Sequence, residues 1–241
     1  MLGVSRDGDV ITIELQRPER RNALNDELVA QLRDTVTAAA AEARVIVLTG
    51  QGPIFSAGAD LDGVYSQTFL DGLQQMLQTI ETVPVPVIAA INGGALGAGV
   101  QLALASDLRV MSPDSYIAIP AAKLGLSVDG WTVRRLISLI GGGPARTVLM
   151  GAEPVTASDA YTFGFANRIG TLADAQAWAK SIAALAPLSL RHLKLVFNDD
   201  GSRRQDTPEQ KAALAAAWLS ADAQEARQAR QEKRAAKFEG R

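Results

Sequence analysis

The chain has 241 residues, 47% of them hydrophobic and 21% charged, with a net charge of −2, one histidine and no cysteine. That length holds one large domain, or a domain with an appendage, around a sizeable core. The near-neutral charge offers nucleic acid or an anionic membrane no electrostatic hold, and the missing cysteines exclude disulfides, thiolate catalysis and cysteine-built metal sites.

In chain order, the first ten residues, MLGVSRDGDV, lack the basic-then-apolar pattern of a signal peptide, so the expected location is cytoplasmic. DVITIEL (9–15) alternates Ile11, Ile13 and Leu15 with Thr12 and Glu14, the period of a half-buried strand. A loop, RPERRNALN, follows, and Asn25 is placed to cap a helix through DELVAQLRDTVTAAA. RVIVLTG (44–50) is a continuous apolar run suited to a sheet covered on both faces. The loop QGPIFSAGAD leads to a helical pattern over 61–80, and PVPVIAAI (84–91) reads as a second buried strand.

Residues 87–105 carry no charge, which raises the question of a membrane span. Asn92, Gln101 and glycines at 93, 94, 97 and 99 argue instead for a buried strand, a turn and a helix. DLRVMS and SYIAI supply two more strands, and from Trp131 onward the pattern is mostly helical. Thr156, Thr171 and Thr207 each stand where a helix cap is expected. The division expected is an α/β body over 1–185 and a helical segment over 186–241.

RVIVLTG runs into FSAGAD, and PVIAAI runs into NGGALGAG: twice, a buried strand meets a small-residue turn that opens a helix. Such turns present backbone N–H groups where positive charge accumulates, and two side by side would form an oxyanion hole. Close helix–strand packing also explains small residues there. The spacing of Gly94, Gly97 and Gly99 is not that of a dinucleotide-binding turn. Ser56 lies near one turn, but the only histidine, His192, is far along the chain and is expected to be structural.

Taken in order, RPERRNALN, FSAGAD, VPVPVIAAINGGALGAGVQLALASDLRV, PLSLRHLKLVFND and EKRAAKF resemble the crotonase, or enoyl-CoA hydratase/isomerase, superfamily along almost the whole chain. Among its members the sequence looks like the paralogues kept in numbers by lipid-rich actinobacteria. The resemblance implies a spiral of ββα units with a C-terminal helical segment that packs subunits into a homotrimer or a dimer of trimers. It also implies an acyl-CoA ligand, with coenzyme A as part of that ligand and no separate cofactor or metal.

Carried onto this sequence, the oxyanion donors are the amides of Ala59 and Ala98, the latter where glycine is usual. The two glutamates of the family's hydratases fall on Gln101 and on Ala121. An amide orients water but does not take its proton, and alanine does neither. Asp129 matches a carboxylate that some members use as a base, although an aspartate before a helical run is commonly a cap. The resemblance puts Arg20, Arg21 and Lys233 near the CoA phosphates, Lys233 from a neighbouring subunit. It puts Ala57 and Asp60 beside the adenine. Candidates for the acyl pocket are Leu61, Val64, Tyr65, Phe69, Leu73, Leu126 and Trp131. Arg227, Arg230, Arg234 and Lys237 read as a solvated helix face.

The resulting expectation is an acyl-CoA-binding protein without efficient hydratase activity, a carrier or regulator working beside lipid-synthesis or fatty-acid-oxidation enzymes, with no nucleic acid and no stable membrane insertion. The alternative is an active hydratase or isomerase that uses Asp129.

Overall fold

The computed structural model describes residues 1–60 and 66–241. The chain opens with a hairpin, β1 (Leu2–Asp7) and β2 (Val10–Leu15), then the capped helix α1 (Asp26–Glu42) and the buried strand β3 (Val45–Gly50). From there three strand pairs follow one plan: β3 with β4 (Ile54–Ser56), β5 (Val87–Ile91) with β6 (Gly94–Leu96), and β7 (Leu108–Met111) with β8 (Tyr116–Ala118). Each pair is followed by a helix: α2 (Gln67–Thr82), α3 (Ala98–Ala105) and α4 (Gly130–Ile140). The rest is α5 (Gly142–Leu149), β9 (Val155–Thr156), α6 (Ala157–Thr162), β10 (Arg168–Ile169) and four helices: α7 (Leu172–Ala183), α8 (Pro187–Phe197), α9 (Pro208–Leu219) and α10 (Ala221–Gln231).

The first strand of every pair joins one sheet and the second joins another. Among the described residues the larger sheet runs β1-β2-β3-β5-β7-β10 and the smaller β4-β6-β8-β9. Among the described residues only the β1/β2 and β8/β9 pairs are antiparallel. Successive ββα units therefore wind as a spiral, which is the crotonase fold.

The apolar run at 44–50 acquires its reason here. Ile46 and Leu48 face the main core against α1 and α2, while Val45 and Val47 face Ala175, Ala179 and Ile182 of α7. A strand covered on both faces needs apolar residues at every position. Caps hold the helix starts as expected: Asn25 accepts from the Leu28 amide, and Thr156, Thr171 and Thr207 accept from Asp159, Asp174 and Gln210.

β1, β4 and β6 are not apparent in the sequence. β4 and β6 have three residues each and use Ser56, Gly94 and Ala95, so no periodicity marks them. The 61–80 helix begins, within the described residues, at Gln67, with Ser66 as its cap.

α8 is tied into the body by a buried cation. Lys194 donates to the carbonyls of Ile80 and Val85 and pairs with Asp107 at 2.8 Å. α9 and α10 fold back over the 121–128 segment: Trp218 Nε1 donates to the Ser127 carbonyl, and a Cβ on Gly125 would lie 2.7 Å from the Asp222 carbonyl oxygen. Among the described residues no helix is long and apolar enough to cross a membrane.

Candidate functional site

The two small-residue turns meet. Leu24 pairs with Ala59 as in a parallel ladder, with Leu24 N donating to Gly58 O and Asp60 N to Leu24 O. Alternation along that segment turns the Ala59 amide the other way, and no backbone hydrogen bond from it is found among the described residues. Gly58 abuts the second turn: a Cβ there would lie 2.6 Å from the Leu96 carbonyl oxygen and 3.3 Å from the Ala98 amide nitrogen. Ala98 opens α3, so its N–H has no intrahelical acceptor, and the amides of Val100 and Gln101 already return to Gly97 O. Two unused amides on abutting turns, one at a helix N-terminus, can polarise a carbonyl oxygen.

Packing and conformation divide the glycines of the second turn. A Cβ on Gly99 would lie 2.6 Å from the Ser56 carbonyl oxygen, so that glycine admits β4. Gly97 has open space around it but takes φ +49° and ψ −114°, a conformation that L side chains resist. Ala98 is buried with the main core, so its methyl is accommodated within the protein.

Asn22 and Ser56 brace the first turn. Asn22 Oδ1 accepts from the Arg17 amide, its Nδ2 donates to the carbonyls of Gln51 and Ile54, and its own carbonyl accepts from Ser56 Oγ. Ser56 Oγ in turn accepts from Gly58 N, which leaves this hydroxyl structural rather than nucleophilic. Sequence reasoning missed Asn22. Its signal was an asparagine closing RPERRN, the residue type best suited to the left-handed φ of 55° found there.

Gln101, Asp129 and Thr132 form a closed network. Gln101 Nε2 donates to Asp129 Oδ2 at 3.0 Å and to Thr132 Oγ1 at 2.7 Å. Thr132 Oγ1 donates to Asp129 Oδ2 at 2.7 Å, and Asp129 Oδ1 accepts from Thr132 N as the cap of α4. Asp129 is therefore a cap and also a neighbour of Gln101. Ala121 begins a short 3-10 turn and lines an apolar cavity of about 330 Å³ with Leu126, Val128, Ile137 and Leu149, Arg146 lying on its wall. The cavity's α4–α5 side has no counterpart in the sequence reading.

Of the other expected residues, Arg20 and Arg21 are exposed beside the first turn, where Ala57 N donates to Arg21 O. The Asp60 carboxylate pairs with Arg17 at 2.8 Å. Lys233 is exposed after α10, and no hydrogen bond or ion pair among the described residues ties it to that cluster. Phe69 and Leu73 are buried in the main core. Trp131, 5% exposed, donates Nε1 to Glu81 and lies under the Arg203 guanidinium. Burial pushes the Glu81 carboxyl up, with Arg203 and Trp131 pulling it back. Leu61, Val64 and Tyr65 lie outside the described residues. His192 is exposed on α8. Among the described residues no group of three or more His, Asp or Glu could hold a metal ion.

The fold and the paired turns define a crotonase-type α/β protein. An enoyl-CoA hydratase/isomerase family model matches residues 5–241, and the chain belongs to that family, whose members act on acyl-CoA. It is 52% identical over the full length of both chains to a Mycobacterium leprae protein named "Probable enoyl-CoA hydratase echA6". An enoyl-CoA hydratase/isomerase of Pseudoalteromonas atlantica superposes with a TM-score of 0.87, 27% identity and 99% coverage of each chain. Methylmalonyl-CoA decarboxylase shares the fold, with a TM-score of 0.92 at 24% identity over 100% of this chain and 98% of that one.

Proposed function

We propose that this chain binds acyl-CoA thioesters with the Ala59 and Ala98 amides on the thioester oxygen and does not hydrate them efficiently, serving as a carrier or regulator of acyl-CoA in lipid metabolism in the cytoplasm. The observation that carries this reading is the site's acid–base inventory. Gln101 and Ala121 stand where the family's hydratases have glutamates, and Asp129 already accepts three hydrogen bonds from Gln101 and Thr132. Proton transfer by a positioned carboxylate contributes about 10²–10⁴-fold for each group, so losing two removes most of the hydratase chemistry. Arg20 and Arg21, beside Ala57 and Asp60, supply positive charge for the CoA phosphates, and Lys233 supplies more from a neighbouring subunit.

Assembly as a trimer or a dimer of trimers is supported by the outer face of α8, where Leu188 is 78% and Leu195 62% exposed.

The test is to mix the protein in excess with a long-chain trans-2-enoyl-CoA and follow the conjugated thioester absorbance, with products identified by mass. Intact thioester that elutes with the protein fits the reading. A water adduct forming on a catalytic timescale would overturn it and favour the second reading, with Asp129 as the base; Asp129→Asn would then abolish turnover.

A further inference from the structure

The cavity of about 330 Å³ between α4, α5 and the 121–128 segment has an apolar wall and a basic mouth. Val133 and Ile137 of α4, Ala145 and Leu149 of α5, and Leu126 and Val128 supply the wall. Ile137 is 39% and Met150, which also lines the cavity, 78% exposed, so apolar surface there faces water. Arg146 is the one charged residue of the lining among the described residues. Its Nη1 donates to the Gly142 carbonyl one turn earlier, and it has no carboxylate partner among the described residues. Lys123 stands on the same 121–128 segment, and its Nζ donates to the Ala152 carbonyl, two residues past Met150. It too has no carboxylate partner among the described residues, and Glu153, next in the chain, pairs with neither cation.

Helical geometry sets this cavity apart from the paired turns. Thr132 Oγ1 meets Gln101, whereas Val133 and Ile137 stand about 100° and 140° round α4 from Thr132. Of the residues expected in catalysis or the acyl pocket, Ala121 and Leu126 reach the cavity.

We infer that this cavity is a second binding site, separate from the thioester site, for a medium-chain aliphatic carboxylate. The chain displaces water along the α4–α5 wall, and its carboxylate meets the Arg146 guanidinium. The Lys123 ammonium adds to the positive field at the mouth. Burial of apolar surface supplies affinity without direction, and the guanidinium fork fixes which end of the ligand points outward. The volume lies at the small end for ligand cavities, with room for a chain of medium length and too little for a coenzyme A thioester. This site does not depend on the thioester-binding reading: a protein that took octanoate and no acyl-CoA would keep the one and lose the other.

The experiment titrates octanoate and 1-octanol calorimetrically into the full chain, as the native protein, Arg146→Met and Ile137→Trp. Octanoate is also titrated with a long-chain saturated acyl-CoA present at saturation. Octanoate is expected to bind the native protein with a dissociation constant of about 1 mM or tighter, and 1-octanol more weakly. Arg146→Met keeps an apolar side chain on the wall, so it weakens octanoate about five- to tenfold and leaves 1-octanol unchanged. Ile137→Trp fills the cavity from its exposed wall and weakens both. Acyl-CoA leaves the octanoate constant as it was. Absence of octanoate binding in the native protein, the result if a neighbouring subunit fills the cavity, would overturn the inference. So would octanoate affinity untouched by Arg146→Met, or displacement of octanoate by acyl-CoA, which would give the cavity to the acyl tail. Should Ile137→Trp fail to fold, the exposed Arg146→Met decides the matter alone.

Discussion

Gln101 Nε2 and Asp129 Oδ2 lie 3.0 Å apart, which joins the turn that opens α3 to the cap of α4. A carboxylate at 101 would face the Asp129 carboxylate at that distance. Like charges so close resist joint ionisation, so the glutamine is matched to its neighbour.

On the proposed reading, gain of hydratase turnover needs three changes. Gln101→Glu alone places two carboxylates together, destabilises the fold and gives no turnover. Gln101→Glu with Ala121→Glu and Asp129→Asn removes the clash and, on that reading, supplies both acid–base groups. Each such group is worth about 10²–10⁴-fold in turnover. Loss of enoyl-CoA absorbance under single-turnover conditions checks this, and equal activity of the native chain and the triple variant would refute it.

Gly97→Ala tests the turn itself. A Cβ there meets nothing within 4 Å, so any effect comes from conformation. Holding a non-glycine residue at φ +49° costs about 1–3 kcal/mol. If the chain relaxes, the Ala98 amide swings away and acyl-CoA affinity falls with the melting temperature. Affinity and melting temperature both unchanged would mean the turn tolerates a side chain after all.

Much of the fold is legible in the amino-acid order. Strands β2, β3 and β5 announce themselves by alternation or by unbroken apolar runs, and the caps at Asn25, Thr156, Thr171 and Thr207 do so by residue type. The turns show as glycine clusters. What the sequence conceals is long-range. Asn22 bonds Gln51 and Ile54 some thirty residues away, Lys194 reaches Asp107, and Gln101 meets Asp129. No local period encodes such pairings. The cavity between the 121–128 segment and α4–α5 is hidden for the same reason, since its wall comes from separate elements.

The outer face of α8 carries the prediction on assembly. Leu188→Asp with Leu195→Asp puts charge on two strongly exposed apolar positions of that face. In an isolated chain such changes would raise solubility and alter little else. At a subunit interface they bury unpaired charge and dissociate the oligomer. Light scattering on the native and doubly substituted proteins separates the two cases, and a native monomer would refute trimer assembly.

Acid should loosen the link between α4 and the segment after α8 before it unfolds the body. Burial pushes the Asp200 carboxyl up, but hydrogen bonds from Ser202 and Arg135 outweigh it and hold the group down at about 2. An unfolded aspartate titrates near about 3.9. A depressed folded value stabilises the native state fully above the unfolded value, and that contribution fades as pH falls from about 4 through 2. Asp200→Asn has no such proton to take up. Its denaturant midpoint should start lower at pH 6 and fall less steeply than the native one between pH 4 and 2. Parallel curves would mean the Arg135–Asp200 pair contributes nothing that depends on charge.

Lys194 decides whether α8 is an appendage or part of the body. Its ammonium is buried against the Ile80 and Val85 carbonyls and Asp107. Burial pulls the Lys194 pKa down and pushes that of Asp107 up, with each ion partly offsetting the cost of the other. Lys194→Met strips Asp107 of its ammonium partner and leaves it the Val87 amide as donor, and breaking a buried pair in this way costs about 3–5 kcal/mol. Adding Asp107→Asn removes the stranded charge and should recover most of that loss. The two carbonyls remain without their donor, so recovery is incomplete. Chemical denaturation of the single and double variants measures both steps. A single substitution costing less than about 1 kcal/mol would place Lys194 in the class of exposed ion pairs and detach α8 from the body's cooperative unit.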